Sequence, residues 1–333
     1  MNNYLSNFPL HRPRRLRKKK WIRNLVRENT IGPNDFIFPI FVTYNNKSTE
    51  IKSMPGVKRL NIEEAFDLSQ IAKELGINAV AIFPEVPRNI KDESGKEALN
   101  RHNIVCRLVE KIKKNSPSLG VICDIALDPY TTSGHDGLIE NSKVVNDKTV
   151  TVLCEQALIN AEAGCDIVAP SDMMDGRVEK IRNYLDKNNK EETLIMSYAV
   201  KYSSNLYGPF RSAVSAASEL GPDQKKTYQM DYGNIDEALK EASLDIKEGA
   251  DILLVKPGIM YLDVLKEVKN TFKYPTFSYQ VSGEYSMLKH AILSGEYNEK
   301  EILMETFLCF KRAGADAIIS YFALDIAKIL KKG

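Results

Sequence analysis

The chain of 333 residues reads as an α/β protein, a (β/α)8 TIM barrel with an extended N-terminal arm. Three observations predict it. Short apolar runs alternate with segments of helical periodicity from residue 36 onward, the rhythm of a parallel sheet wrapped by helices. The alternation supplies eight strand candidates in roughly 300 residues, which suits a closed barrel. The hand-over from helix to strand also repeats. Ala163-Gly164-Cys165-Asp166-Ile167-Val168, Glu248-Gly249-Ala250-Asp251-Ile252-Leu253 and Ala313-Gly314-Ala315-Asp316-Ala317-Ile318 share one pattern, and Leu75-Gly76-Ile77-Asn78-Ala79-Val80 is a looser copy. In each, a glycine caps a helix and Asp or Asn precedes the strand. The structural alternative, a doubly wound sheet, calls for a Gly-rich phosphate turn after an early strand, and no GxGxxG or P-loop pattern is present.

Residues 1–33 form the arm and 34–333 the barrel. Within the barrel, strands are expected at 36–42, 79–83, 120–124, 166–169, 194–198, 251–255, 276–281 and 316–321. Helices are expected at 62–75, 96–114, 148–163, 175–187, 234–248, 260–270, 284–293, 299–312 and 323–331. In the first of these, Ala65, Leu68, Ile71 and Ala72 fall near one face. The stretch 202–234 is too long for an ordinary strand-to-helix loop and reads as a lid, or else as a solvated surface loop.

Hydrophobic residues make up 43% and charged residues 27%, an ordinary globular composition. A net charge of +2 gives no whole-molecule case for nucleic-acid binding. The basic run from His11 to Lys20, followed by the single tryptophan Trp21, leaves three readings open: an arm for nucleic acid or an acidic surface, an arm packed on a neighbouring subunit through Trp21, or a solvated terminus. The five cysteines are scattered without a CxxC pair, which points to a reducing compartment. No apolar run approaches the ~18 residues of a membrane span. The basic N-terminus is not followed by the apolar stretch of a secretory signal, so a cytoplasmic enzyme is expected.

Gly249 to Gly258 organises the chain. Four apolar residues, Ile252 to Val255, suit a strand covered on both faces, and Lys256 sits where that strand meets Pro257-Gly258. Desolvation there disfavours the ammonium form, and a neutral amine attacks carbonyls, so the pattern suits a Schiff-base lysine; the alternative is a lysine that snorkels to solvent. Barrel chemistry sits at the C-terminal ends of strands. Those ends carry Asp124 and Asp128, Ser171 and Asp172, Lys201, Lys256, Ser282 and Tyr321. Lysines after two adjacent strands raise each other's free energy, so the pKa of at least one should fall. Arg211, Lys225 and Lys226 make this stretch cationic, which as a lid would suit a substrate with a carboxylate.

Several long motifs resemble the porphobilinogen synthase (5-aminolevulinate dehydratase) family: Met196-Ser197-Tyr198-Ala199-Val200-Lys201-Tyr202, Tyr207-Gly208-Pro209-Phe210-Arg211, Leu254-Val255-Lys256-Pro257-Gly258, Ala169-Pro170-Ser171-Asp172-Met173-Met174-Asp175-Gly176 and Tyr279-Gln280-Val281-Ser282-Gly283-Glu284-Tyr285. The resemblance covers nearly the whole chain. It implies condensation of two 5-aminolevulinate molecules to porphobilinogen, with loss of two waters, in tetrapyrrole synthesis. It implies a barrel whose arm embraces a neighbour, commonly in a homo-octamer. Lys256 and Lys201 match the active-site lysines and Asp124 an active-site carboxylate. Arg211 and Lys225 match the lid residues that bind one substrate carboxylate, and Ser282 and Tyr321 the hydroxyls that bind the other.

Zinc-dependent members carry a cysteine cluster after the third strand, and the corresponding residues here are Ala126, Asp128 and Asp136. Alanine has no ligand atom and aspartates favour hard cations, so no zinc is expected at the active site. Asp128 and Asp136 are expected to form hydrogen bonds, with magnesium or potassium as the alternative occupant. Glu237 matches a ligand of an activating Mg2+ outside the pocket; otherwise it simply complements a helix N-terminus. Two other functions compete: a class I aldolase-type Schiff-base lyase, and a nucleic-acid-binding protein using the basic arm. The aldolase reading leaves the second lysine and the cationic lid unexplained.

Overall fold

Eight parallel strands close on themselves. They are β1 (Phe36–Thr43), β2 (Ala79–Glu85), β3 (Gly120–Ile125), β4 (Ile167–Pro170), β5 (Leu194–Lys201), β6 (Ile252–Lys256), β7 (Thr276–Gln280) and β8 (Ala317–Ser320). Each pairs with its sequence neighbour, and β8 returns to β1 through Phe36↔Ile318 and Ile37↔Ile319. The computed structural model describes residues 8–215 and 225–331. Positions 1–7 of the arm, 216–224 of the expected lid and the last two residues of the chain lie outside them.

Between the strands run α1 (Ile62–Glu74), α2 (Ile104–Asn115), α3 (Asn146–Glu162), α4 (Arg177–Lys187), α5 (Asp236–Lys247), α6 (Leu262–Phe272), α7 (Ser282–Leu293), α8 (Glu299–Ala313) and α9 (Ala323–Lys331). Asn61, Asn103 and Asn298 cap α1, α2 and α8 by accepting a backbone N–H with their side chains. The core joins strands to helices through rings such as Phe36 and Phe307, edge to face at 4.9 Å.

The repeated Gly-x-Asp hand-over has one physical role. Gly164, Gly249 and Gly314 all have φ near +100°, the left-handed conformation that ends a helix without a Cβ penalty. Two residues later the aspartate crosses to the preceding strand. The N–H groups of Val121, Ile195 and Thr276 donate to the carboxylates of Asp166, Asp251 and Asp316 at 2.8, 2.7 and 2.7 Å. The same aspartates donate their own N–H to Val121, Ile195 and Thr276 carbonyls at 3.0, 2.9 and 2.8 Å. Each pair of bonds pins the register at the N-terminal rim, the stabilising end of such barrels.

Some elements differ from expectation. The segment 96–114 is not one helix: a 3-10 turn at Lys96–Leu99 precedes α2, because Asn103 accepts the Cys106 N–H and restarts the chain. Strand β5 runs through Lys201 instead of ending before it, and β6 likewise includes Lys256. Two short antiparallel pairs were not anticipated, Thr49–Glu50 with Lys58–Leu60 and Ile139–Glu140 with Lys143–Val144. The lid begins with a 3-10 turn, Asn205–Tyr207, and a helix, Gly208–Ala213. The arm holds a 3-10 turn at Pro13–Arg17 and a short helix at Lys20–Leu25.

Candidate active site

Lys201 and Lys256 face each other across β5 and β6, as Cα partners in the parallel ladder. A local irregularity puts them there. Ser197 pairs with Leu253, but Val200 pairs with Val255, so β5 carries one residue more than β6 over this interval. Such a bulge re-aims the side chains beyond it. Without it Val200 would lie opposite Lys256, and Lys201 would project from the other face.

Both lysines are buried, at 5% and 6% exposure, yet their surroundings differ. The Lys256 amine lies 4.8 Å from the ring centre of Tyr279, 5.0 Å from Tyr198, and 5.1 Å from Tyr207 and from Phe210. Rings offer weak compensation for lost water, so burial, reinforced by the Lys201 charge, brings the Lys256 pKa down to about 7. Lys201 instead donates to the Ser171 carbonyl and to Asp136 Oδ2, the latter at 3.3 Å. Its amine lies 5.9 Å from the same Tyr198 ring that borders Lys256.

Asp136 is fully buried and binds two ammonium groups, with Lys225 donating to Oδ1 at 2.5 Å. Burial alone would raise its pKa, but Lys201 and Lys225 outweigh that and hold it at about 2. Lys225 also donates to Asp128 at 3.0 Å. Burial disfavours its charge, yet the two aspartates leave its pKa above the ordinary lysine value. Asp128 and Asp136 are thus joined by a lysine ammonium. Ala126 adds no ligand atom to their loop, and Cys123 is buried beside Cys165.

Asp124, at the end of β3, is pushed up to about 7 by burial and then by Asp128, against the pull of Lys256 and Lys201. An amine and a carboxyl that both titrate near neutrality suit proton transfer during imine chemistry.

Ser282 and Tyr321 contact residues that wall Lys256, whereas Glu237 lies apart. Ser282 Oγ accepts the Phe210 N–H at 2.9 Å and donates to the Leu206 carbonyl at 3.3 Å. Tyr321 shares a 2.8 Å hydrogen bond with Tyr279, and its ring stacks on Phe41. Arg211 lies on the lid helix Gly208–Ala213. Glu237, in the first turn of α5, accepts from Asn234 Nδ2 at 2.7 Å. It lines a separate cavity of about 850 Å³ together with Glu241 and Asp175.

Sequence reasoning missed the ring cage. Tyr198, Tyr207, Phe210 and Tyr279 all stood in the motifs, but aromatic residues in a folded chain are ordinarily core. Only tertiary proximity turns these four into the wall around an amine.

Comparison with known proteins identifies the family. The family profile of delta-aminolevulinic acid dehydratase matches residues 10–329. The chain is 53% identical over 321 residues to the delta-aminolevulinic acid dehydratase of Bradyrhizobium diazoefficiens, covering 96% of this chain and 91% of that relative. It is 48% identical to the enzyme of the same name from Methanothermus sociabilis, covering 96% and 99% of the two chains. Among solved structures, the porphobilinogen synthase of Toxoplasma gondii ME49, in complex with the reaction product porphobilinogen, superposes with a TM-score of 0.94 at 45% identity, covering 96% of this chain and 91% of the other. With its closed barrel, its facing lysines and a family match across nearly its whole length, the chain belongs to the delta-aminolevulinic acid dehydratase family.

Proposed function

We propose that Lys256 and Lys201 each hold one substrate molecule through an imine in the family's reaction. That reaction, the condensation of two 5-aminolevulinate molecules to porphobilinogen in tetrapyrrole synthesis, is the activity of this chain. Lys256 forms the imine most firmly associated with the family: its amine attacks a keto carbon, and the carbonyl oxygen leaves as water. The observation that carries the assignment is the facing pair of buried amines, one walled by rings and one ion-paired to Asp136. Holding both substrates converts a bimolecular condensation into an oriented one. Asp124 serves proton transfer or holds the substrate amine. Arg211 and Lys225 bind one substrate carboxylate and Ser282 and Tyr321 the other. That requires Lys225 to share its ammonium between the substrate and the two aspartates it holds here.

Borohydride added together with 5-aminolevulinate should fix substrate mass on Lys256, read by peptide mapping, and Lys256→Ala should lose turnover by orders of magnitude. Wild-type rates of pyrrole formation in Lys256→Ala would end the assignment.

The donor set supports zinc independence with Mg2+ as an activator. Without a thiolate cluster the site has no place for zinc, whereas the carboxylates around Glu237 suit Mg2+, which binds through one or two carboxylates and keeps its waters. Magnesium bound there is an activator outside the reaction. Turnover should survive a zinc-selective chelator and rise with added Mg2+, with the Mg2+ response lost in Glu237→Gln; abolition by the zinc chelator would reverse the assignment. The arm suits a homo-octamer, since Phe8, Leu10, Trp21 and Leu25 are all exposed. A cytoplasmic location suits the free cysteines, four of them buried. No helix among the described residues is long and apolar enough to cross a membrane.

A further inference from the structure

The first turn of α7 touches both the backbone behind Lys256 and the base of the lid. Glu284, its third residue, is 1% exposed. Its carboxylate accepts N–H bonds from Val281 at 2.8 Å, Gly258 at 3.2 Å to each oxygen, Ile259 at 2.6 Å and Met260 at 3.4 Å. The Val281 bond is an ordinary reach back to the start of a helix. The other three amides belong to the turn that follows Lys256-Pro257, and a helix cap does not require them. That turn has little room to move, because a Cβ on Gly258 would lie 2.6 Å from the Phe310 ring and 2.9 Å from the Tyr279 carbonyl.

The other side of the same helical turn meets the lid. Ser282 accepts the Phe210 N–H, and a Cβ on Gly283 would lie 2.5 Å from the Leu206 carbonyl oxygen. The lid in turn reaches Lys256, whose carbonyl accepts from Tyr207 OH at 3.2 Å. Contacts therefore run in a ring from Lys256 through the 258–260 turn, Glu284 and the lid base, back to Lys256.

We propose that Glu284 is a positioning residue, whose carboxylate ties the turn behind Lys256 to the helix on which the lid rests, so that the aim of the amine and the seating of the lid are set together. The inference rests on Lys256 as the imine-forming lysine. It goes beyond that reading in assigning Glu284 a role exerted through backbone amides. A 1 Å misplacement of a reacting group costs about a hundredfold in rate, so even a partial loss of this tie is measurable.

The test is the rate of borohydride trapping on Lys256 in quenched time points at saturating 5-aminolevulinate, with urea unfolding followed alongside. Glu284→Gln keeps the volume but turns an NH2 group toward N–H donors; Glu284→Asp keeps the charge and withdraws it by about 1.5 Å. Trapping should slow by about tenfold or more in Glu284→Gln and by less in Glu284→Asp, in protein that is folded at the assay temperature. Adding Tyr207→Phe, which removes the lid's bond to Lys256, should slow Glu284→Gln by less than it slows the parent chain. Trapping within about twofold of the parent in a folded Glu284 variant overturns the proposal, and Glu284→Asp decides alone if Glu284→Gln does not fold. If the parent chain itself gains no substrate mass on Lys256, the functional reading falls and takes this inference with it. Trapping in the parent with unchanged trapping in the variants overturns this inference alone.

Discussion

Lys256 and Lys201 are the same side chain in opposite conditions. Rings surround one amine, and a carboxylate and a carbonyl hold the other. The Lys256 amine is thus close to half neutral at pH 7, where an ordinary lysine is almost wholly charged. Imine formation should therefore rise as pH increases through about 7 and then level off, checked by the pH dependence of trapping on Lys256. A profile still climbing steeply at pH 10 would show an ordinary amine. Stability carries the same signature. The unfolded chain binds the Lys256 proton up to about 10.5 and the folded chain only up to about 7, so this group adds stability as pH rises across that window. Lys256→Met should accordingly raise the unfolding midpoint below pH 7 and have less effect near pH 10. Both lysines and Asp124 were legible in the sequence because their positions at strand ends follow from the hydrophobic pattern. The cage was not legible, because its rings come from two strands and the lid, far apart in the chain.

At the scale of elements, the lid is fastened by parts of the fold that sequence periodicity does not show. Lys58–Leu60 is a three-residue strand, too short for any alternation to be read. Its Arg59 donates to the carbonyls of Ser212 and Ala213 at 2.6 Å each, at the C-terminal end of the helix Gly208–Ala213. Lys91 and Glu85 then hold Ser215, through its carbonyl at 2.9 Å and its hydroxyl at 3.2 Å. Hydrogen bonds from a charged donor contribute about 1.5–3 kcal/mol each. Arg59→Ala should raise KM by about tenfold and leave kcat within about twofold, since the reacting groups stay in place. Steady-state kinetics decide it: an unchanged KM would show that the clamp does not hold the lid for substrate. The length of 202–234 allowed a lid or a solvated surface loop, and its helical start came with the structure.

The whole molecule separates stability from chemistry along the barrel axis. Three aspartate bridges pin the strands at the N-terminal rim, while the lysines, Asp124 and the lid gather at the other. The N-terminal arm precedes the barrel. Its 3-10 turn and short helix bury no residue, although they include Leu16, Trp21 and Leu25. Exposed apolar side chains there fit the proposed role of the arm in packing on a neighbouring subunit. For the proposed homo-octamer, removal of residues 1–33 should shift the sedimentation profile to smaller species, with unfolding of the barrel still cooperative. An unchanged profile would show that the arm plays no part in assembly.

The alternation of strands and helices, the repeated glycine and aspartate, and the two strand-end lysines were determined by the sequence alone. Each is a local property: propensity, capping or hydrophobic burial over a few residues. The pairing of the lysines is different, because it depends on one extra residue in β5 between Ser197 and Val200. That bulge leaves no mark in the pattern of apolar residues, since both faces of a barrel strand are buried and a shift of one position swaps one apolar contact for another. Only the closed sheet, in which β6 fixes the register against β5, decides that the two amines share a face.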